Sequence, residues 1–124
     1  MDRDALQRWL EGYVSLWRAP GTDRLGELFA DGIRYRPSPW RRAVVGLAAL
    51  AAFWESGRDG PDEQFELRSE VVAVDGPVGV VRVGVDYADG ERWRDLWIVH
   101  FDATGRCTAF EEWPFAPDQP DGHE

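Results

Sequence analysis

Asp95 and Glu112 are the acidic residues whose placement points most directly to chemistry. Each lies in an extended, β-prone stretch on one side of the turn sequence Ala103-Thr104-Gly105, so a hairpin would bring both carboxyls to one sheet face. Counting register through Asp89-Gly90 and Ala103-Thr104 sets Asp95 opposite Glu112, Arg82 beside Trp97 and Gly84 beside Asp95. Asp86, Trp93, Val99, Thr108 and Phe110 then share that face. Two carboxyls facing each other in apolar surroundings do not both ionise, so one is pushed up and becomes a general acid. Arg82, as a diagonal neighbour, would instead pair with one and hold both charged. The plainer alternative is a polar network that fixes strand register, or a solvated pair at an open end. A slip of one residue would turn both carboxyls outward.

Other reactive side chains lack partners at useful spacing. The two histidines, His100 and His123, and the single cysteine, Cys107, form no metal-ligand pattern. Ser38, Ser56 and Ser69 lack the G-x-S-x-G turn of a nucleophilic serine. No G-x-G-x-x-G or phosphate-loop pattern occurs, so neither a metal nor a nucleotide cofactor is expected. Arg41-Arg42 reads as a solvated basic pair beside Trp40.

With 124 residues the chain has room for one domain, expected over residues 1–115 with a polar tail from Ala116 to Glu124 that frays. Fourteen basic against 23 acidic residues give a formal charge of −9, whose field repels phosphate backbones and anionic membranes. Nucleic acid and membrane partners are therefore not expected. One cysteine and a start without an apolar run suggest a cytoplasmic protein. Seven Trp, three Tyr and six Phe are more aromatic surface than so small a core needs, enough to line a cavity as well.

The elements that must carry these residues are legible in outline. Leu6, Trp9, Leu10, Tyr13, Val14 and Trp17 follow a helical repeat between Asp2 and Arg18. Thr22 is placed to cap a second short helix carrying Leu25, Leu28 and Phe29 and ending at Asp31-Gly32. Ile33 to Arg36 alternates like a strand, and Pro37-Ser38-Pro39 forces an extended rim through Trp40. Gly46 opens a third helix with Leu47, Leu50, Ala51 and Trp54 on one face, closed by Gly57, Gly60 and Pro61. From about Glu63 to Phe115, turns at Asp75-Gly76-Pro77, Asp89-Gly90 and Ala103-Thr104-Gly105 separate four strands in successive hairpins. Helices first and strands afterwards predict an α+β fold. The sheet face opposite the carboxyls would carry Val81, Val83, Val85, Tyr87, Leu96, Ile98 and His100, too apolar for water, which predicts a homodimer packed sheet to sheet.

This order, with LFADGIRYRPSPW following the first helix pair and HFDATGRCTAFEEW closing the chain, resembles the nuclear transport factor 2-like superfamily, and within it the SnoaL-like proteins, over about Leu6 to Phe115. The resemblance implies a cone-shaped, curved antiparallel sheet wrapped around three N-terminal helices, with a largely apolar pocket. Ketosteroid isomerases, polyketide cyclases, scytalone dehydratases and limonene epoxide hydrolases share that fold, so the fold alone does not name a reaction. Aligned with the ketosteroid isomerases, Tyr13 takes the place of the oxyanion-donating tyrosine, whereas Pro37 replaces their carboxylate base and Trp97 their second acid. That mechanism is excluded, because proline cannot accept a proton. The position of Trp97 also implies that the face with Asp95 and Glu112 borders the pocket. The expected catalytic residues are therefore Glu112, Asp95 and Tyr13. The expected ligand-binding residues are Trp17, Tyr35, Trp40, Trp54, Arg82, Trp93, Trp97 and Phe110. Two readings stay open: a cofactor-free isomerase, cyclase, hydrolase or dehydratase for a small apolar molecule, or a non-catalytic ligand-binding or dimerisation module.

Overall fold

A computed structural model describes residues 1–58 and 64–120. The expected helix stop at Gly60 and Pro61, the start of the strand-rich half at Glu63, and the tail end with His123 lie outside the described residues. In chain order the elements are α1 (Arg3–Arg18), β1 (Phe29–Arg36), β2 (Val44–Val45), α2 (Leu47–Ser56), β3 (Phe65–Asp75), β4 (Val78–Tyr87), β5 (Arg92–Phe101) and β6 (Cys107–Phe115). The strands form one sheet in the order β2-β1-β6-β5-β4-β3, with β1 parallel to β6 and every other pair antiparallel.

Helix α1 begins at Asp2, whose side chain accepts from the Ala5 amide at 2.8 Å. It buries Leu6, Trp9, Leu10, Tyr13 and Leu16 against the inner face of the sheet. Gly79 marks the tightest approach, since a Cβ there would stand 2.5 Å from Leu6 Cδ2. Trp9 packs edge-on against Phe29 and Phe101 and donates its indole N–H to the Leu28 carbonyl at 3.0 Å. Arg58 closes the other end of the helix. Its guanidinium reaches the carbonyls of Leu16 and Trp17, acceptors that the helix C-terminus leaves unpaired, and those of Ala19 and Gly21 in the chain that follows.

The expected second helix is absent. Only a single 3-10 turn forms, at Leu25–Glu27, and Phe29 is already the first residue of β1. A segment this short with Gly26 inside it has little helical tendency, and pairing with β6, where the Cys107 amide donates to the Leu28 carbonyl at 2.8 Å, prevails. Two helices, not three, therefore fill the concave side. The third expected helix is present as α2, with Leu50 and Trp54 fully buried.

All three hairpins form, but two differ from the expected register for the same reason. Between β4 and β5 the Tyr87 amide bonds to the Glu91 carbonyl at 2.8 Å, which leaves the three residues Ala88, Asp89 and Gly90 in the loop, with Gly90 at φ 96°. A three-residue loop with glycine in the left-handed region is the next preferred hairpin after the two-residue one. The one-residue change places Val83, not Gly84, beside Asp95 and Val81, not Arg82, beside Trp97. Val81, Val83, Val85 and Tyr87 therefore face the helices, and Arg82, Gly84 and Asp86 face outward. The β5–β6 loop is likewise three residues long, with Asp102 N bonded to Arg106 O at 2.9 Å and Gly105 at φ 85°. A bulge after Phe101 and Cys107 adds a second shift. Two shifts restore the facing: Trp97 pairs with Glu112 and Asp95 with Pro114, so the two carboxyls are diagonal neighbours on the inner face. Thr108 falls at the bulge and donates to the His100 carbonyl at 3.3 Å.

Candidate functional site

The inner sheet face and α1 do not meet along their whole length. Where they diverge, towards the C-terminal ends of α1 and β6, they leave an open hollow of about 440 Å³. Tyr13, Trp17, Tyr35, Phe53, Phe65, Leu67, Val85, Trp93 and Trp97 supply its apolar walls, and Asp95 and Glu112 its two carboxyl groups. At the mouth stand Pro37, Ser38 and Arg41 from the β1–β2 loop, and Glu91 from the β4–β5 loop.

A chain of polar atoms crosses the wall of this hollow. The Tyr13 and Tyr35 hydroxyls lie 3.2 Å apart, and Tyr35 donates to Glu112 Oε1 at 3.5 Å. With the Tyr35 proton directed at Glu112, Tyr13 is the donor of the tyrosine pair. On the neighbouring strand, Trp97 Nε1 donates to Asp95 Oδ2 at 3.2 Å. Asp95 is only 7% exposed; no N–H or hydroxyl donor reaches its second oxygen, Oδ1, and the remaining hydrogen-bonding neighbour of this carboxyl is Glu112. A buried carboxylate oxygen without a donor is costly, and that cost falls when a donor on a bound molecule or a water reaches it.

Burial is the main cause of unusual acidity here. It pushes Glu112 well above the ordinary glutamate range, and the neighbouring Asp95 adds to the effect. Asp95 is also raised by burial, but its interactions with Glu112 and Trp97 hold it down. Both carboxyls are thus pushed up, Glu112 the more strongly, and the pair as a unit holds a proton above the ordinary carboxylate range. Burial and the nearby Glu112 raise both tyrosines well above 10, so they remain neutral donors.

This arrangement has a consequence for stability. An unfolded chain releases these carboxyl protons near pH 4, whereas the folded chain retains them to higher pH, so the stability they contribute is full below that point. It is lost as pH rises through the raised folded values, with a slope of at most about 1.4 kcal/mol per pH unit for one proton. Glu112→Gln is expected to flatten this decline. Urea unfolding at pH 5, 6.5 and 8 reads the difference, and equal slopes for the two proteins would count against it.

Of the expected site residues, Glu112, Asp95, Tyr13, Trp17, Tyr35, Trp93 and Trp97 line the hollow. Four do not. Trp54 is 1% exposed and packs behind Tyr13 and Trp17 as core. Phe110 is stacked under Tyr35 at 4.5 Å between ring centroids and is likewise core. Arg82, turned outward by the register shift, pairs with Glu70 at 3.2 Å, so it does not hold the two carboxyls charged. Trp40 is 98% exposed because the proline-rich rim carries it away from the opening. Tyr13 donates to Tyr35 and not directly into the hollow, so it reaches the Glu112 carboxyl only through the Tyr35 hydroxyl.

Phe53, Phe65, Leu67, Glu91 and Arg41 line the hollow without having been expected there. No local pattern marked any of them, Phe53 included, since it lies off the helix face of Leu47, Leu50, Ala51 and Trp54. Cys107 is buried, its thiol raised by burial and donating to the Ala109 carbonyl. His100 lies on the outer face. Among the described residues no group of three or more His, Cys, Asp or Glu is placed to hold a metal ion, and no helix is long and apolar enough to cross a membrane.

No curated protein matches the sequence. Solved structures match it over nearly its whole length. A nuclear transport factor 2-like protein of unknown function from Burkholderia xenovorans superposes with a TM-score of 0.71 at 17% identity, covering 97% of this chain and 90% of that one. SalBIII, an epoxide hydrolase/cyclase-like enzyme with a role in pyran ring formation in the polyether salinomycin, gives 0.73 at 12% identity over 92% and 93%. A Kribbella flavida protein described as a candidate ketosteroid isomerase gives 0.69 at 20% identity over 98% and 86%. At such identities the likeness speaks for the fold alone. The SnoaL-like domain family, by contrast, matches in sequence from residue 10 to residue 110. With that match spanning most of the domain and the same fold in its structural neighbours, the chain belongs to the SnoaL-like family.

Proposed function

We propose that the hollow binds a small, largely apolar molecule and moves protons on it by general acid–base catalysis, with Glu112 as acid and Asp95 as base. The observation that carries this reading is the carboxyl pair itself: Glu112 and Asp95 are hydrogen-bonded neighbours, both raised by burial and Glu112 the more strongly, inside an aromatic-walled cavity. Groups whose surroundings push their acidities apart are the arrangement that acid–base chemistry near neutral pH requires.

The pairing favours isomerisation or ring closure over the other cofactor-free reactions. In such a step Asp95 takes one proton from a substrate C–H or O–H while Glu112 gives one to a substrate oxygen. The substrate neither gains nor loses protons overall, and transfer from Asp95 back to Glu112 resets the site without solvent. Tyr35, and through it Tyr13, supports Glu112 as its charge develops. The epoxide hydrolase/cyclase-like neighbour and the candidate isomerase are consistent with this class of reaction. The assembly we propose is a homodimer through the outward patch that the observed register creates, Val80, Leu96, Ile98 and Trp113, to be read from sedimentation velocity.

A thermal-shift panel of small cyclic ketones, epoxides and hydroxylated terpenoids tests the binding step. Stabilisation by at least one compound, abolished by Trp97→Ala and retained in Glu112→Gln, is expected. If no compound stabilises the protein, the reading falls and a dimerisation module with an unused cavity takes its place.

A further inference from the structure

We infer that the outer face of the sheet carries a second binding site for a small aromatic carboxylate, on the side opposite the hollow and sharing only Trp93 with its lining. Its floor is Gly84. In the sheet register Arg68 of β3, Gly84 of β4, Arg94 of β5 and Phe115 of β6 stand in one row across the four strands. Neighbouring strands are about 4.8 Å apart, so the two arginines flank the glycine with a gap of roughly 10 Å between their backbones. The missing side chain opens a depression of about 270 Å³ bounded by Arg68, Arg92, Arg94, Phe115 and Pro117.

The charges in this depression are unevenly used. Asp86 is held by Arg68 at 2.9 Å and by Arg92 at 3.1 Å, and Glu66 stands 3.9 Å from the other terminal nitrogen of Arg68. Arg94 has no ion pair among the described residues. Three guanidinium groups against two carboxylates leave one positive charge, on a chain that carries −9 in total. A guanidinium is a flat fork of donors that matches a carboxylate through two parallel hydrogen bonds. Phe115, half exposed, and Pro117 border Arg94 with apolar surface. A cation beside an open aromatic face over a glycine floor suits a flat ring bearing one carboxylate. It does not suit a bare inorganic anion, which would leave Phe115 in water, nor an extended acidic peptide, whose further charges would meet Asp86 and Glu66.

The probe is benzoate, titrated into isotope-labelled protein and followed by NMR, with benzamide as the uncharged control. Saturable movement of the Gly84 amide and the Arg94 Nε–H signal is expected, with the Trp97 indole N–H in the hollow unmoved. Arg94→Met should weaken benzoate at least about tenfold, the usual order of effect for a charge-assisted hydrogen-bond pair. Gly84→Val should abolish binding by filling the floor while the protein still folds. Its Cβ would meet the mobile end of Arg68 at 3.6 Å, an ordinary contact, and valine favours strands. Equal binding of benzamide, unchanged affinity in both variants, no saturable shift, or movement of Trp97 in place of Gly84 would each overturn the assignment. Because the readout lies on the outer face, the proposed chemistry of the hollow can fail without affecting this result.

Discussion

Glu112→Gln is expected to lower the turnover of any compound the hollow converts by about 100-fold or more, the usual contribution of a general acid, while leaving its affinity nearly unchanged. Glutamine keeps the shape of the side chain and can still accept from Tyr35 at Oε1, so the wall of the hollow and the tyrosine pair survive. What disappears is the proton that burial and Asp95 keep on Glu112. Asp95→Asn should give a loss of similar size for the complementary reason, since the amide cannot take up a substrate proton. A Glu112→Gln enzyme with full turnover would remove Glu112 from the chemistry and leave a binding site.

The second large effect concerns folding. Arg58→Met should destabilise the protein by about 3 kcal/mol or more and lower its Tm by roughly 10 °C. The Arg58 side chain is 3% exposed and satisfies four backbone carbonyls at the end of α1, including Leu16 at 3.3 Å, Trp17 at 3.2 Å and Gly21 at 3.1 Å. Methionine retains much of the buried stem and supplies no donor, so the loss isolates the hydrogen bonds from the packing. The accompanying pair with Glu55 adds little, because that carboxylate is half exposed. Chemical denaturation measures the change, and a difference below about 1 kcal/mol would show that water replaces the guanidinium at no cost. Trp17 lines the hollow from the last turn of α1, so Arg58 also fixes one wall of the site from outside it.

The reach of the sequence can be judged from these same residues. The stripe from Leu6 to Trp17, the helix opened by Gly46 and the four long strands follow from periodicity and turn chemistry alone, and the structure contains all of them. Failure came where a single residue decides. Asp89-Gly90 reads as a two-residue turn, but Ala88 joins the loop, and that one residue exchanges the faces of β4, taking Arg82 and Asp86 away from the site. Asp95 and Glu112 remained on one face because the second hairpin and its bulge shifted the register twice, so their shared facing was reached through a pairing that does not occur. The parallel pairing of β1 with β6 is non-local, and no feature near Leu25 to Phe29 announces it. Arg58 is equally silent in sequence, since its partners lie about 40 positions away.

The measurement closest to the central claim is the titration of the Glu112 side-chain carboxyl carbon by NMR, assigned by its loss in Glu112→Gln. The carboxyl should remain protonated well above the ordinary glutamate range, and Asp95→Asn should lower the Glu112 midpoint by removing the neighbouring charge. A Glu112 that titrates like a free glutamate, near pH 4.3, and ignores the Asp95 substitution would mean that solvent reaches both carboxyls and that no acid–base pair exists in the hollow.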